Sequence, residues 1–269
     1  MSGGIDSTAV LGAVNKFHDG KIKTFSVGFK DSLDPDKFNA DFYLARETAK
    51  TYQTDHHELI IGPDDVLARL EQIAWHLDEP NSNPTAGAMF LLSEMAQKEV
   101  AVVLGGDGGD ELFGGYPRYY YSALISKLQR IFPSIILNRI SSKFKLSADA
   151  ERITAFLCQK PELLAKVIQP DILKEKSAID YIQQTHFHPR NHSQYPRNLH
   201  QTDFEKYFMN VDRQSWLPDE SLLRTNKMSM AHGLESRVPI LDYRLIELSC
   251  RIPTTWKFNI WNTTGGSFQ

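Results

Sequence analysis

Apolar positions recur at helical spacing directly after the opening glycines. Ala9, Val10, Ala13, Val14 and Phe17 fall on one face, and Asp19-Gly20 ends the run. Residues 24–29 then alternate Phe25, Val27 and Phe29, the period of a strand. After a turn-rich loop at 31–36, Phe38, Phe42, Ala45, Ala49 and Tyr52 restore a helical period. A short buried-type strand is expected at 59–61. Pro63 then opens a helix with Val66, Leu67, Leu70, Ile73, Ala74 and Leu77 on one stripe.

A Pro/Asn-rich break at 78–84 precedes a further helix carrying Ala88, Met89, Leu92, Met95 and Ala96. The continuous apolar run 100–104 is of the kind found in a central parallel strand. Strands alternating with helices of this length predict an α/β fold, an open parallel sheet with helices on both faces. Ligands on such sheets bind beyond the carboxyl ends of the strands. The pattern weakens across 119–210, where the helical pieces 123–132 and 150–157 are separated by Pro133, Pro161, Pro170 and a His/Asn/Pro-rich stretch at 186–200. This predicts a nucleotide-binding α/β part at 1–118, an irregular helical insertion at 119–210, a helical continuation at 211–261 and a disordered tail at 262–269. Within the continuation, Leu245, Leu248, Ser249 and Ile252 keep helical spacing up to Pro253.

With 269 residues, 41% of them hydrophobic, the chain is long enough to bury a sizeable core. A formal charge of −3 gives no electrostatic case for nucleic acid or an anionic membrane, which favours a small-molecule substrate. Two cysteines, Cys158 and Cys250, make no disulfide framework and read as reduced core thiols. No stretch approaches the ~20 apolar residues of a membrane span and no leader opens the chain, so a soluble cytoplasmic protein is expected. His56 and His57, and His186, His188 and His192, lack cysteine partners at zinc-site spacing and read as solvated loop residues.

The most chemically specific stretch is Ser2, Gly3, Gly4, Ile5, Asp6 and Ser7. Two glycines let backbone N–H groups close on an anion, two hydroxyls add donors, and the following helix points its positive end at the same spot. No Gly-Lys-Ser/Thr follows, so this is not a Walker A loop; Asp6 is suited instead to holding Mg²⁺ against a diphosphate. A second glycine-rich, acidic stretch runs Gly105, Gly106, Asp107, Gly108, Gly109, Asp110, Glu111. Both lie just past strand ends.

Together with residues 24–29, 105–116 (GGDGGDELFGGY) and 217–242 (LPDESLLRTNKMSMAHGLESRVPILD), the opening turn resembles the synthetase domain of glutamine-dependent asparagine synthetases. These belong to the PP-loop ATP pyrophosphatases, with an adenine nucleotide alpha hydrolase-like fold. The resemblance implies adenylation of the aspartate β-carboxylate by ATP, then attack of ammonia to give asparagine and AMP. It brings Asp6 and Asp110 together on Mg²⁺, against the rival reading of a helix cap and a solvated loop residue. It sets Met1 and Val27 around adenine and ribose, alongside Ser2, Gly3, Gly4 and Ser7, with Gly105 and Gly106 approaching the nucleotide through their backbones. Met1 stands where the family usually has a leucine, and Val27 could equally be plain strand core.

Asp107 occupies a position where many family members have glutamate, and an acid there could orient ammonia or take its proton; a turn-forming carboxylate is the rival. Glu220 falls in the segment resembling an acidic pair near the substrate carboxylate, or else serves a helix start with Asp219. Arg224, Lys227 and Arg237 are candidates for contact with phosphate or carboxylate, with buried ion pairing to Glu235 or Asp242 the rival for Arg237.

Such synthetases also carry a glutaminase domain with a catalytic cysteine, an apolar central strand leading into the glycine turn, and a later segment with a catalytic lysine. None of these is in this sequence, which therefore reads as an internal portion of the family's chain or a mis-started, prematurely ended frame. The expected partners are aspartate and ammonia, the latter from solution or from glutamine through a separate glutaminase domain or chain, and a homodimer is compatible. A related amide-forming ligase acting on another carboxylate, such as a β-lactam synthetase-like enzyme, is the enzymatic alternative. A non-catalytic fragment that binds nucleotide or a partner is the other.

Overall fold

The computed structural model describes residues 1–30, 38–79, 81, 83–116, 119, 123 and 204–257. The chain divides into two compact units, residues 1–115 with 209–269, and residues 116–208. In the second, the rings of Tyr116 and Tyr119 lie 5.6 Å apart. The helical pieces expected at 123–132 and 150–157, the histidines of 186–192, Cys158 and the tail fall outside the described residues.

The first unit is α/β. Its elements begin α1 (Ile5–Phe17), β1 (Lys23–Phe29), α2 (Ala40–Thr51) and β2 (Asp55–Ile61). They continue with α3 (Pro63–Leu67), α4 (Leu70–Leu77), α5 (Thr85–Ala96), β3 (Val102–Leu104) and α6 (Gly109–Phe113). From residue 204 onward come α7 (Phe204–Gln214), which begins in the second unit, a π-helical turn at Leu217–Leu222, α8 (Leu223–Met230), β4 (Glu235–Arg237), a 3₁₀ turn at Pro239–Leu241, α9 (Tyr243–Arg251) and α10 (Thr254–Lys257). No described helix is long and apolar enough to cross a membrane.

Among the described residues strand pairing is parallel, in two separate pairs: β1 with β2 from Lys23–Asp55 to Phe29–Ile61, and β3 with β4 from Val102–Glu235 to Leu104–Arg237. The apolar run at 100–104 yields a three-residue strand with a partner on one side only among the described residues, not a central strand. β4 has no apolar alternation in its sequence, Glu-Ser-Arg, and is defined by its pairing alone.

Alternation misleads in β1 too. Thr24, Phe25 and Ser26 are all buried, because helices cover both faces of a parallel strand. Two core clusters form among the described residues. Ile73 and Leu77 of α4, Ala86 and Phe90 of α5, and Met228 of α8 form one. Phe25, Ala96 and Leu234 form the other, with Val103 packed against it. Burying a side chain such as Phe90 contributes about 1.5–3 kcal/mol, so α5, which serves both centres, is the spine of the unit.

Several expected helical faces shift. In α1 the buried residue is Leu11, while Phe17 is 83% exposed. The stripe expected over 63–77 breaks between α3 and α4, leaving Leu67 and Leu70 exposed. Cys250 is exposed, not a core thiol, and accepts a 3.5 Å hydrogen bond from Arg213. His56 is no solvated loop residue: it lies in β2 with Nδ1 at 2.8 Å from Thr24 Oγ1 and Nε2 at 3.0 Å from Ser26 Oγ. Burial lowers its proton affinity. Arg46 closes this edge with a two-point bond to Glu58, at 2.7 and 2.8 Å.

Candidate functional site

The opening turn is shaped by Gly3, at φ +74, where a Cβ would stand 2.5 Å from the Leu44 carbonyl carbon of α2. Only glycine lets the chain turn against that backbone. Gly4 then caps α1 in an extended conformation without any side-chain cap. The first N–H groups of an α-helix have no partner within the helix and carry its positive end, so this turn presents donors. Around it, Ser7 Oγ donates to the Gly4 carbonyl at 3.1 Å and lies 3.2 Å from Ser2 Oγ, which accepts from Gly4 N at 3.3 Å.

The second glycine-rich loop leaves β3 and folds onto the same helix start. Gly105 N donates to the Arg237 carbonyl at 2.8 Å, extending the β3–β4 ladder by one bond. Gly106 then passes so close that a Cβ would sit 2.8 Å from Ser7 N and 3.2 Å from Asp6 Cβ. Gly108, at φ +90, turns the chain into α6, and Gly109 lies against the Asp6 carboxylate. Two stretches a hundred residues apart therefore meet at one point; a side chain at 106 would press on the backbone of α1 and hold them apart, while one at 109 would displace the Asp6 carboxylate.

This places Asp6 and Asp110 in electrostatic contact. Partial burial pushes the Asp6 carboxyl above its usual range, and the neighbouring Asp110 charge pushes it further. Two carboxylates held close beside a glycine turn are a donor set that suits a hard divalent ion. Mg²⁺ commonly takes one or two carboxylates and completes its shell with phosphate oxygens and water. The described residues include no cluster of three or more acidic, histidine or cysteine side chains that would make a self-sufficient metal cage.

The Met1 amino group donates to the Phe25 carbonyl, and Val27, partly buried, lies two residues further along β1. On the other side of the loop, Ser221 Oγ donates to Asp107 Oδ1 at 3.4 Å, which brings Asp107 beside the π-helical turn. Glu220 on that turn is held by three donors: Arg224 Nε at 2.7 Å, Arg224 Nη2 at 3.4 Å and Asn83 Nδ2 at 2.8 Å. Their side chains are only 18% (Glu220) and 10% (Arg224) exposed, so the pair is a structural clamp from α8 to the turn before α5.

The cations expected near phosphate are all engaged within the protein. Arg224 is bound to Glu220, Lys227 donates to the Leu77 carbonyl at the end of α4, and Arg237 pairs with Glu235 at 2.8 Å. The Arg237 pair with Glu235 is exposed, at 64% and 53%, so the rival reading of a buried ion pair does not describe it.

Sequence reasoning missed Asn83, Ser221 and Lys257. Asn83 Oδ1 accepts from Thr85 N and Oγ1 at the start of α5, a capping role its place after the Pro/Asn break could have suggested. Its bond to Glu220 has no local signature. Lys257 donates from α10 to the Leu112 carbonyl at 2.7 Å, tying α10 to the short helix that carries Asp110.

Comparison with known proteins agrees with this geometry. A family model described as asparagine synthase matches residues 1–263. The chain is 29% identical over 264 residues to asparagine synthetase [glutamine-hydrolyzing] 1 of Bacillus subtilis, covering 96% of this chain and 40% of that protein. It is 24% identical over 275 residues to asparagine synthetase [glutamine-hydrolyzing] 3 of the same organism, covering 96% and 39%. It is 31% identical over 135 residues to asparagine synthetase [glutamine-hydrolyzing] 2 of Oryza sativa subsp. japonica, covering 46% and 22%. The chain thus spans about two fifths of the length of the Bacillus relatives. With the glycine turn, the acidic loop and the clamp on Glu220 all inside the matched residues, this chain belongs to the asparagine synthase family.

Proposed function

We propose that this chain carries the ATP-binding and carboxylate-activating part of an asparagine synthetase, in which the aspartate β-carboxylate is adenylated with release of pyrophosphate and ammonia then displaces AMP. The observation that carries the reading is the packing of Gly106 and Gly109 onto Ser7 and Asp6, which brings the two glycine loops together at the start of α1. In this reading the Ser2–Ser7 turn grips pyrophosphate oxygens through backbone N–H groups and hydroxyls, at the positive end of α1. Met1, Val27, Gly105 and Gly106 flank the nucleoside, the two glycines leaving their backbone open to it.

Asp6 and Asp110 would hold Mg²⁺, which when bound neutralises charge building up on the leaving pyrophosphate. Asp107 faces the activated carbonyl and orients ammonia or accepts its proton, steadied by Ser221. Glu220, with its charge already balanced by Arg224 and Asn83, sets the shape of the carboxylate pocket. Positioning and charge neutralisation supply the rate, and no covalent nucleophile is needed. Ammonia comes from solution or from a glutaminase domain, as the relatives' names, glutamine-hydrolyzing, suggest.

The test is ATP–pyrophosphate exchange with Mg²⁺ across a panel of carboxylates. Exchange that requires aspartate supports the proposal. Exchange with another acid but not aspartate moves the chain to a related ligase, and no exchange with any acid, in a chain that still binds ATP, makes it a nucleotide-binding remnant.

A further inference from the structure

β1 turns two chemically different faces to the helices that cover it. Phe25 packs with Ala96 of α5 and with Leu234, and Val27, two residues on, belongs to that same face. The opposite face presents Thr24, Ser26 and Gly28 to α2, where the Phe42 ring lies so near that a Cβ at 28 would stand 3.1 Å from it. Thr24 and Ser26 are both buried, yet they bring little of the apolar surface that normally fixes a strand face beneath a helix. Hydrogen bonds from one ring take its place.

In the register of β1 with β2, His56 stands opposite Thr24 and diagonal to Ser26. Its ring spans the two, with Nδ1 2.8 Å from Thr24 Oγ1 and Nε2 3.0 Å from Ser26 Oγ. Thr24 Oγ1 lies a further 2.8 Å from Thr54 Oγ1, so a row of polar groups runs from the residue before β2, through the ring, to the residue next to Val27. A shift of this part of β1 would leave a buried hydroxyl without its partner, which the strand resists. The glycine turn is braced separately, by the Leu44 backbone and by Gly106.

We propose that His56 is a positioning residue for the nucleoside end of the site: by tying Thr24 and Ser26 to β2 it fixes the part of β1 that carries Val27, and so sets the affinity for the adenosine moiety of ATP without altering the grip on its phosphates. The inference rests on the nucleotide reading given above, in which Val27 flanks the nucleoside and the Ser2–Ser7 turn takes pyrophosphate. His56 itself touches neither; it acts through the strand.

The test compares binding of ATP and of inorganic pyrophosphate, each with Mg²⁺, by calorimetry on the full chain and its variants, with melting temperatures alongside. His56→Leu fills the space and offers the hydroxyls nothing, whereas His56→Gln places an amide near the Nε2 position and keeps a partner for Ser26. His56→Leu is expected to weaken ATP by about tenfold while pyrophosphate stays within about twofold, and His56→Gln to recover most of the ATP affinity. Should His56→Leu fail to fold, Ser26→Ala removes only the far hydroxyl and is expected to weaken ATP about threefold and pyrophosphate not at all. Equal losses for the two ligands, or a lowered melting temperature with ATP affinity unchanged, make His56 a stabilising residue only and overturn the proposal. A parent chain that binds pyrophosphate but not ATP overturns the nucleotide reading and this inference with it; a parent that binds ATP no better than the variants do overturns this inference alone.

Discussion

Gly109 rests against the carboxylate of Asp6, so that a Cβ added there would stand 2.5 Å from Oδ2. That contact joins the two loops, and it fixes where the Asp6 charge points. Because the obstructed atom is the end of a flexible side chain, Gly109→Ala should leave the fold intact and swing Asp6 aside. The expected result is a melting temperature within about 2 °C of the parent and Mg²⁺·ATP binding weaker by about tenfold, roughly 1.4 kcal/mol, measured by calorimetry. Undiminished affinity would remove Asp6 from the site.

Asp6 and Asp110 repel in the folded chain, and the raised Asp6 carboxyl gives this a sign. The folded state holds that proton more firmly than the unfolded state, so its stabilising contribution is full below the ordinary carboxyl value and is lost as pH rises through the raised one. At neutral pH, Asp6→Asn should therefore raise the melting temperature by about 2 °C, a gain that shrinks toward pH 4, while abolishing any stabilisation by Mg²⁺·ATP. Fluorimetry across that range checks both, and a destabilised Asp6→Asn would contradict the repulsion.

Asn83 serves two neighbours, and two substitutions separate them. Asn83→Ala removes the cap on α5 and the bond to Glu220, and should cost about 1–2 kcal/mol in urea unfolding. Asn83→Asp keeps an oxygen for Thr85 but sets a carboxylate against Glu220, so it should lose carboxylate-dependent exchange out of proportion to its stability. Parallel losses in both variants would show that the bond to Glu220 carries no weight.

Lys257 supplies a pH signature of its own. Burial first, then the nearby Arg213 charge, lowers its ammonium to about 8. Between about 8 and the ordinary lysine value of 10.5 the unfolded chain binds the extra proton, so stability from this group rises with pH in that window; below about 8 the cost of burying the charge is fully present. The stability difference between the parent and Lys257→Met should follow that slope. A difference flat from pH 7 to 10 would place the ammonium in open solvent.

How legible this molecule was in its sequence depended on what each residue answers to. The glycines at 3 and 106 were readable because a Cβ there would strike neighbouring backbone. α2 was readable because Phe42, Ala45 and Ala49 bury one helical face. β4 was not, since Glu235, Ser236 and Arg237 take their extended shape from the β3 ladder and not from their own pattern. The ion pair of Arg224 with Glu220 follows helical spacing across four positions, yet the bond from Asn83 arrives from 137 positions away and left no local trace. Likewise, apolar strength at 100–104 announced a strand but could not name its partner among the described residues, the polar Glu235–Arg237 segment.

The π-helical turn at Leu217–Leu222 carries a last implication, for which changes this region tolerates. Such a turn holds one residue more than an α-helical one, so Glu220 and Ser221 meet Asn83 and Asp107 only while that surplus is kept. Losing a single codon here would let the helix rewind and rotate everything upstream by about 100° relative to α8, disengaging both contacts at once. Point replacements at the outward-facing Pro218 or Asp219 leave the winding unchanged. The segment is thus far more sensitive to the number of its residues than to their identity.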